Sequence, residues 1–331
     1  MEYRKLGKSD LQVSTMTMGC WAIAGDRLWG PQDESEAIAA LHTAVDVGIN
    51  FFDSAEGYGA GRSEELIGRA FKAMHDKVLV ASKVSYDHMR PADLRRACEN
   101  SLRNLGMEYI DLYYLHWPNW EVPFAETMGE MQRLQEEGKI RFAGCSNFGR
   151  RDLPALLDVS RVEINQLAYN LLFRAIEFEI IPACLQHTVS VAAYSPLLHG
   201  ILTGKFHSLS EIPPGRTRTR HFSSERPMTR HGGPGAEVET AAALDSIARL
   251  CDDAGLPMAE VSLAWLLEQP AVATVIAGAR NPDQVRANAK AVSLKLPADL
   301  SAALSATTEA LKAKLGRNAD MWETEAASRV R

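Results

Sequence analysis

The stretch Ile49-Asn50-Phe51-Phe52-Asp53-Ser54-Ala55-Glu56-Gly57-Tyr58-Gly59 carries an apolar strand to an aspartate and then sets a glycine-flanked tyrosine on a loop. A carboxylate at the mouth of a buried strand is costly unless a cation pairs with it. The next apolar run, Val78-Leu79-Val80-Ala81-Ser82-Lys83, ends in such a cation, and the one after it, Ile110-Asp111-Leu112-Tyr113-Tyr114-Leu115-His116, ends in a histidine. Three successive strands therefore finish on three polar groups, with Tyr58 hanging beside the first.

Outward from this stretch the chain keeps a strand–helix cadence. A hairpin is expected over residues 2–14, followed by a strand at Thr15 to Gly19 and a helix capped by Asp33 with Glu36. Helices are expected from Arg62 to Met74 and from Pro91 to Gly106; in the latter Leu94, Ala97, Cys98, Ser101, Leu102 and Leu105 keep helical spacing. Strands at 110–116, Ile140 to Cys145, Val162 to Gln166, Ser190 to Tyr194 and Val272 to Ile276 alternate with helices at Pro123 to Glu137, Asp152 to Asp158, Glu177 to His187 and Pro282 to Ala289. Near-continuous apolar strands between amphipathic helices are parallel strands covered by helices. Eight such units predict an α/β fold, a (β/α)8 TIM barrel with an N-terminal hairpin, with an open doubly wound sheet as the alternative.

Residues 203–236 interrupt the cadence with Pro213, Pro214, five arginines and Gly232-Gly233-Pro234-Gly235. A stretch this long without its own elements reads as a functional lid, a disordered insertion or a solvated loop. Helices at Glu237 to Asp253, Met258 to Glu268 and Asp299 to Leu315 follow, the last lying after the barrel. Residues 1–331 are expected to form one barrel domain, with 203–236 a loop after the seventh strand and 316–331 a C-terminal tail.

At 331 residues, 46% hydrophobic and 24% charged, the composition is that of an ordinary soluble protein, and the net charge of −6 argues against a nucleic-acid partner. The first ten residues hold Glu2, Arg4, Lys5, Lys8 and Asp10 without an apolar core, and no run reaches membrane-spanning length, so a cytoplasmic setting is expected. The five cysteines have neither CxxC nor Cys/His ligand spacing, which points to reduced thiols and no metal.

In a parallel barrel the C-terminal strand ends ring the active site. Those ends read Asp53 with Tyr58, Lys83, His116, Ser146-Asn147, Gln166, Tyr194-Ser195 and Gly278-Ala279-Arg280. A tyrosine is a poor proton donor at neutral pH unless a cation stabilises its phenolate; Lys83 would supply that cation, and Asp53 would hold it. His116 can hydrogen-bond a carbonyl oxygen from a second side. Such a set protonates an oxyanion but contains no nucleophile, so a nicotinamide hydride fits as the attacking group. Ser146, Asn147 and Gln166 can grip a carboxamide while Tyr194 stacks on its ring. Trp21, Trp117 and Trp120, beyond the first and fourth strands, are candidates to wall a substrate pocket.

From the hairpin to Asn288 the chain resembles the aldo-keto reductases. Asp53, Tyr58, Lys83 and His116 fall on that family's catalytic tetrad. Gly144-Cys145-Ser146-Asn147-Phe148, Tyr194-Ser195-Pro196-Leu197 with Gly200 through Lys205, and Gly278-Ala279-Arg280 with Gln284 and Asn288 resemble its cofactor segments. The similarity is strongest to bacterial members with a long insertion after the seventh strand and to the potassium-channel β subunits. It implies an NAD(P)H-dependent oxidoreductase acting on a small carbonyl or alcohol, with a cofactor-binding regulatory or redox-sensing subunit as the alternative. Gly278, Ala279 and Gln284 depart from the basic and hydroxyl residues of the mammalian aldose-reductase pattern. The preference for NADP(H) over NAD(H) therefore rests on Arg280, placed beside a helix N-terminus where a 2′-phosphate would sit.

Overall fold

A computed structural model describes residues 1–25 and 29–331. The hairpin forms from β1 (Tyr3–Lys5) and β2 (Gln12–Ser14), paired antiparallel. Eight parallel strands follow: β3 (Met16–Gly19), β4 (Phe51–Asp53), β5 (Leu79–Val84), β6 (Ile110–Leu115), β7 (Ile140–Ser146), β8 (Ile164–Ala168), β9 (Ser190–Tyr194) and β10 (Val272–Gly278). Because β10 bonds both β9 and β3, the sheet closes into a barrel and the open-sheet alternative falls away.

In a strand alternate side chains face the same side. Phe51, Ala81, Leu112, Ile164 and Ala192 take the inward positions and fill the barrel interior, where Leu6, Leu11 and Val13 of the hairpin region plug the N-terminal end. The outer face of the strands packs against the helices, including α1 (Glu34–Asp46), α2 (Arg62–Phe71), α3 (Pro91–Leu105), α4 (Phe124–Glu136), α5 (Asp152–Leu157) and α6 (Ile180–His187). After β9 come α7 (Glu237–Ala254) and α8 (Met258–Leu267), and after β10 come α9 (Pro282–Ala291), α10 (Ala298–Thr307) and α11 (Glu309–Leu315).

Several boundaries differ from expectation for identifiable reasons. The helix expected to Met74 ends as an α-helix at Phe71 and continues as a 3-10 turn over Lys72–Lys77, kinked at Met74. The one expected from Glu177 begins with a 3-10 turn at Ala175–Glu177 and becomes α-helical only at Ile180. The helix expected over 299–315 is two helices broken at Thr308. There the Arg174 guanidinium bonds Ser305 O at 2.6 Å and Thr308 Oγ1 at 2.8 Å, taking a carbonyl that the helix would otherwise use.

Residues 203–236 are neither bare of elements nor uniformly solvated. They hold 3-10 turns at Leu209–Glu211 and Pro214–Arg216, and Thr217, Thr219, His221 and Phe222 are buried. His221 is fixed from both ring nitrogens, by Leu172 O and Thr219 Oγ1, each at 2.9 Å. Burial lowers its pKa to about 3, so the ring is neutral at pH 7.

The tail, 316–331, folds back over the C-terminal mouth of the barrel. Arg220 gathers the carbonyls of Leu315, Asn318 and Asp320 within 2.9 Å, and Arg331 O accepts from the N–H groups of Arg151 and Asp152 at the start of α5. Gly149 permits this docking. A β-carbon there would lie 2.5 Å from Arg331 O.

Candidate functional site

Two positions beyond Phe51, Ala81, Ile164 and Ala192 on their strands stand Asp53, Lys83, Gln166 and Tyr194; His116 stands just past β6. The same inward alternation that fills the barrel with apolar side chains thus ends in a polar top layer. Lys83, 0% exposed, donates to Asp53 Oδ1 at 2.6 Å, to Ser54 O at 2.6 Å and to the Tyr58 hydroxyl at 3.3 Å. Gln166 reaches across from β8 and donates to Asp53 Oδ2 at 2.7 Å. Both carboxylate oxygens are therefore engaged.

The electrostatics follow from burial and from these partners. Desolvation pulls Lys83 down, but Asp53 and Tyr58 more than offset it, so its ammonium is held above its ordinary range. For Tyr58 the balance is reversed: desolvation raises the phenol by more than Lys83 lowers it. Lys83 thus offsets only part of the desolvation of the phenolate, which is the larger effect. His116 is driven well below its ordinary value by burial and by the positive charges of Lys83 and Arg329, which leaves a neutral imidazole with an N–H to donate. Tyr58 lies between two rings, stacked on Trp21 at 5.4 Å and edge-on to His116 at 5.9 Å between centroids.

Ser146, Asn147 and Tyr194 form a second cluster. Asn147, at φ +63°, donates to His116 O and Ser146 Oγ, each at 3.1 Å, and accepts from the Tyr194 hydroxyl at 2.9 Å. Ser146 Oγ donates to Gln166 O at 3.0 Å. Gln166, expected beside these amide-binding groups, instead commits its amide nitrogen to Asp53. Beyond Tyr194 the backbone runs left-handed at Ser195, Leu198 and His199, and again at Gly200. Pro196 and Leu197 lie within this turn, where Leu197 O accepts from Gly200 N at 2.8 Å. A β-carbon on Gly200 would approach Arg216 Nη1 to 2.8 Å and Lys205 Nζ to 3.5 Å, so both cations crowd this turn.

At the end of β10 the arrangement differs from expectation. The Arg280 guanidinium is not presented freely at the N-terminus of α9. Its Nε donates to Gln32 Oε1 at 2.6 Å, and its two terminal nitrogens to Trp29 O and Pro31 O, tying down the segment before α1. Gln284 Oε1 accepts from Arg280 N at 2.8 Å, and Asn288 Nδ2 donates to Gly278 O at 3.2 Å. Gln284 and Asn288 thus brace the β10–α9 connection, in which Ala279 is buried and Gly278 exposed.

The three tryptophans separate. Trp21 covers Tyr58; Trp117 lies under the Arg329 guanidinium, 3.8 Å from ring centroid to Cζ. Trp120 does not join them. Its indole N–H is bound by Asp152 at 2.6 Å, and its ring packs on Phe124 of α4.

Residues that reading along the sequence did not single out also reach the mouth. Trp322 of the tail stacks on His199 at 5.2 Å, with Arg218 and Arg230 over the same indole at 5.2 and 5.8 Å. Burial and the neighbouring Arg216 lower Lys205, while burial and Arg230 lower Arg218. The arginine-rich composition of 203–236 was the available signal for these cations. Nothing local marks Trp322 or Arg329. Among the described residues there is no grouping of His, Cys, Asp or Glu suited to a metal ion, and no helix is long and apolar enough to cross a membrane.

Residues 15–309 match the model of the aldo/keto reductase family. The chain is 32% identical over 298 residues to aldo-keto reductase YhdN of Bacillus subtilis (strain 168), covering 87% of each chain. It is 31% identical over 314 residues to the NADH-specific methylglyoxal reductase of Escherichia coli (strain K12), covering 88% of this chain and 93% of that protein. Among solved structures it resembles the glycerol dehydrogenase AKR11B4 of Gluconobacter oxydans, with a TM-score of 0.80 and 31% identity over 92% of this chain and 94% of that one. It also resembles an aldo/keto reductase of Klebsiella pneumoniae in complex with NADP and acetate, with a TM-score of 0.73 and 30% identity over 92% and 94% of the two chains.

Proposed function

The chain belongs to the aldo/keto reductase family, and on that premise we propose that it interconverts an aldehyde or ketone and its alcohol, using NADP(H) in preference to NAD(H), with Tyr58 as the proton donor. The observation that carries this reading is the contact of a fully buried Lys83 with both Asp53 and the Tyr58 hydroxyl at the barrel mouth.

The bound dinucleotide would supply the hydride to the carbonyl carbon. Tyr58 gives its proton to the carbonyl oxygen as negative charge builds there, and Lys83, at 3.3 Å, stabilises the phenolate left behind. Neutral His116 donates a second hydrogen bond to the same oxygen and fixes which lone pair meets Tyr58. Asp53 keeps Lys83 charged and aimed. Trp21, stacked on Tyr58, keeps water from the phenol.

The residues present suit a phosphate-bearing cofactor. Lys205 and Arg216 crowd the turn after β9 and Arg218 and Arg230 lie over the indole stacked on His199, all without a carboxylate partner among the described residues, and the buried Nδ1 of His199 has no hydrogen-bond partner there. Ser146, Asn147 and Tyr194 would hold the carboxamide and ring of the nicotinamide, and the cation cluster the phosphates. With Arg280 engaged on the segment before α1, this cluster supports NADP(H) better than Arg280 does.

A panel of carbonyl compounds assayed with NADPH and NADH at the nicotinamide absorbance tests the reading. Tyr58→Phe should lower kcat by about 10²–10⁴-fold while leaving cofactor affinity nearly unchanged. Near-native turnover in that variant would remove Tyr58 from the role. No turnover by the native protein, despite cofactor binding, would favour the regulatory-subunit alternative.

A further inference from the structure

Arg329 differs from the other cations at the mouth. It lies in the tail, outside residues 15–309 that match the family model, yet its charge acts on both His116 and Tyr194. The guanidinium lies against the face of Trp117, the residue after His116, with Tyr86 flanking at 5.9 Å. A guanidinium in face contact with an indole uses its π surface and leaves its in-plane N–H donors free. Among the described residues no carboxylate pairs with Arg329, and its side chain donates no hydrogen bond.

The position is held rather than incidental. Arg329 N donates to Asp320 Oδ2 at 3.4 Å, Val330 is buried, and Arg331 N donates to the buried Asp152 Oδ2 at 2.6 Å. Asp152 also receives Gly149 N and the Trp120 indole, so the expected pocket tryptophan Trp120 instead helps fix the segment carrying Arg329. A cation stacked and anchored from both sides, with its donors unspent beside the proposed reactive histidine, is arranged for a planar anion brought in by the substrate.

We propose that Arg329 is a specificity-determining residue that selects carbonyl substrates carrying a carboxylate. The proposal rests on the carbonyl-reduction reading above and deepens it by naming the substrate class. The carboxylate pairs with the in-plane N–H groups of Arg329, and the carbonyl end reaches Tyr58 and His116. The bland role, in which Arg329 only clips the tail onto Trp117, predicts no dependence on substrate charge.

Matched substrates separate these roles: succinic semialdehyde against butanal, and 4-carboxybenzaldehyde against methyl 4-formylbenzoate. For the native protein, kcat/KM should favour the charged member of each pair, and its KM should rise with ionic strength while that of the neutral member does not. Arg329→Met should raise KM for the charged member about tenfold or more, as expected for loss of a charged hydrogen bond, and leave the neutral member within about twofold. Arg329→Lys should restore part of the difference. Equal losses on both members, or no change on either, would overturn the proposal. Should Arg329→Met fail to fold, the native salt dependence decides alone, and a KM for the charged member that ignores ionic strength overturns it. Turnover of neutral aldehydes without preference for their charged partners would remove only this proposal, whereas absence of all turnover would remove the carbonyl-reduction reading itself.

Discussion

The two ends of the barrel treat positive charge in opposite ways. At the N-terminal end three arginines each meet a carboxylate: Arg141 on Asp111 at 2.7 Å, Arg161 on Glu163 at 2.7 Å, Arg4 on Glu2 at 3.2 Å. At the C-terminal end Lys205, Arg216, Arg218, Arg230 and Arg329 lie over aromatic rings without a carboxylate partner among the described residues. Like charges crowded without counter-ions destabilise a fold, and their clustering at the C-terminal end supports the anionic-ligand binding proposed there. On the proposed reading one end serves stability and the other binding; the Asp53–Lys83 pair, at the mouth yet fully satisfied, belongs to both.

That double membership gives the largest expected effect. Lys83→Met should abolish turnover and also lower unfolding stability by about 3–5 kcal/mol, because Asp53 is left buried and unpaired. Chemical denaturation beside a turnover assay reads both, and an inactive variant of native stability would show that the pair belongs to the binding end only. Asp111→Ala should show a smaller and purely structural loss. Asp111 accepts from Val80 N, His75 and Arg141, so its removal strands a buried N–H at about 2–3 kcal/mol, with kcat/KM unchanged. A fall in kcat/KM at matched folded fraction would break the division between the two ends. The smallest effect is expected for Arg218→Ala, which should weaken NADPH binding by about tenfold without loss of stability. A stability loss like that of Asp111→Ala, with unchanged NADPH affinity by fluorescence titration, would make Arg218 one more structural cation.

The barrel was readable in the sequence because its signals are local. Pro91 and Gly106 bracket α3, and the polar residue after each apolar run marks the strand end where Asp53, Lys83 and His116 stand. What escaped depends on acceptors that every residue type carries. Arg220 holds the tail through three backbone carbonyls, Arg280 is diverted by two more, and Arg174 breaks the last helix by taking Ser305 O from 131 residues away. No spacing rule announces a main-chain oxygen as a partner. Gln166 was recognised as a strand-end amide, but its direction across the barrel follows from the closure of the sheet and not from its neighbours in sequence.

That crossing has a consequence for anyone wishing to alter the protein. In the closed order β10-β3-β4-β5-β6-β7-β8-β9, strands β4 and β8 stand diametrically opposed, and Asp53 ties them through Gln166 while Lys83 ties β4 to β5. The polar layer acts as a tie rod across a vault, and the groups above it hang from loops and from the tail. If Trp21, Trp117 and the tail wall the substrate pocket as proposed, trading them should change selectivity with the vault left standing. On the proposed role of Tyr58, a catalytically dead but intact scaffold is best sought there, since the tie rod does not pass through it.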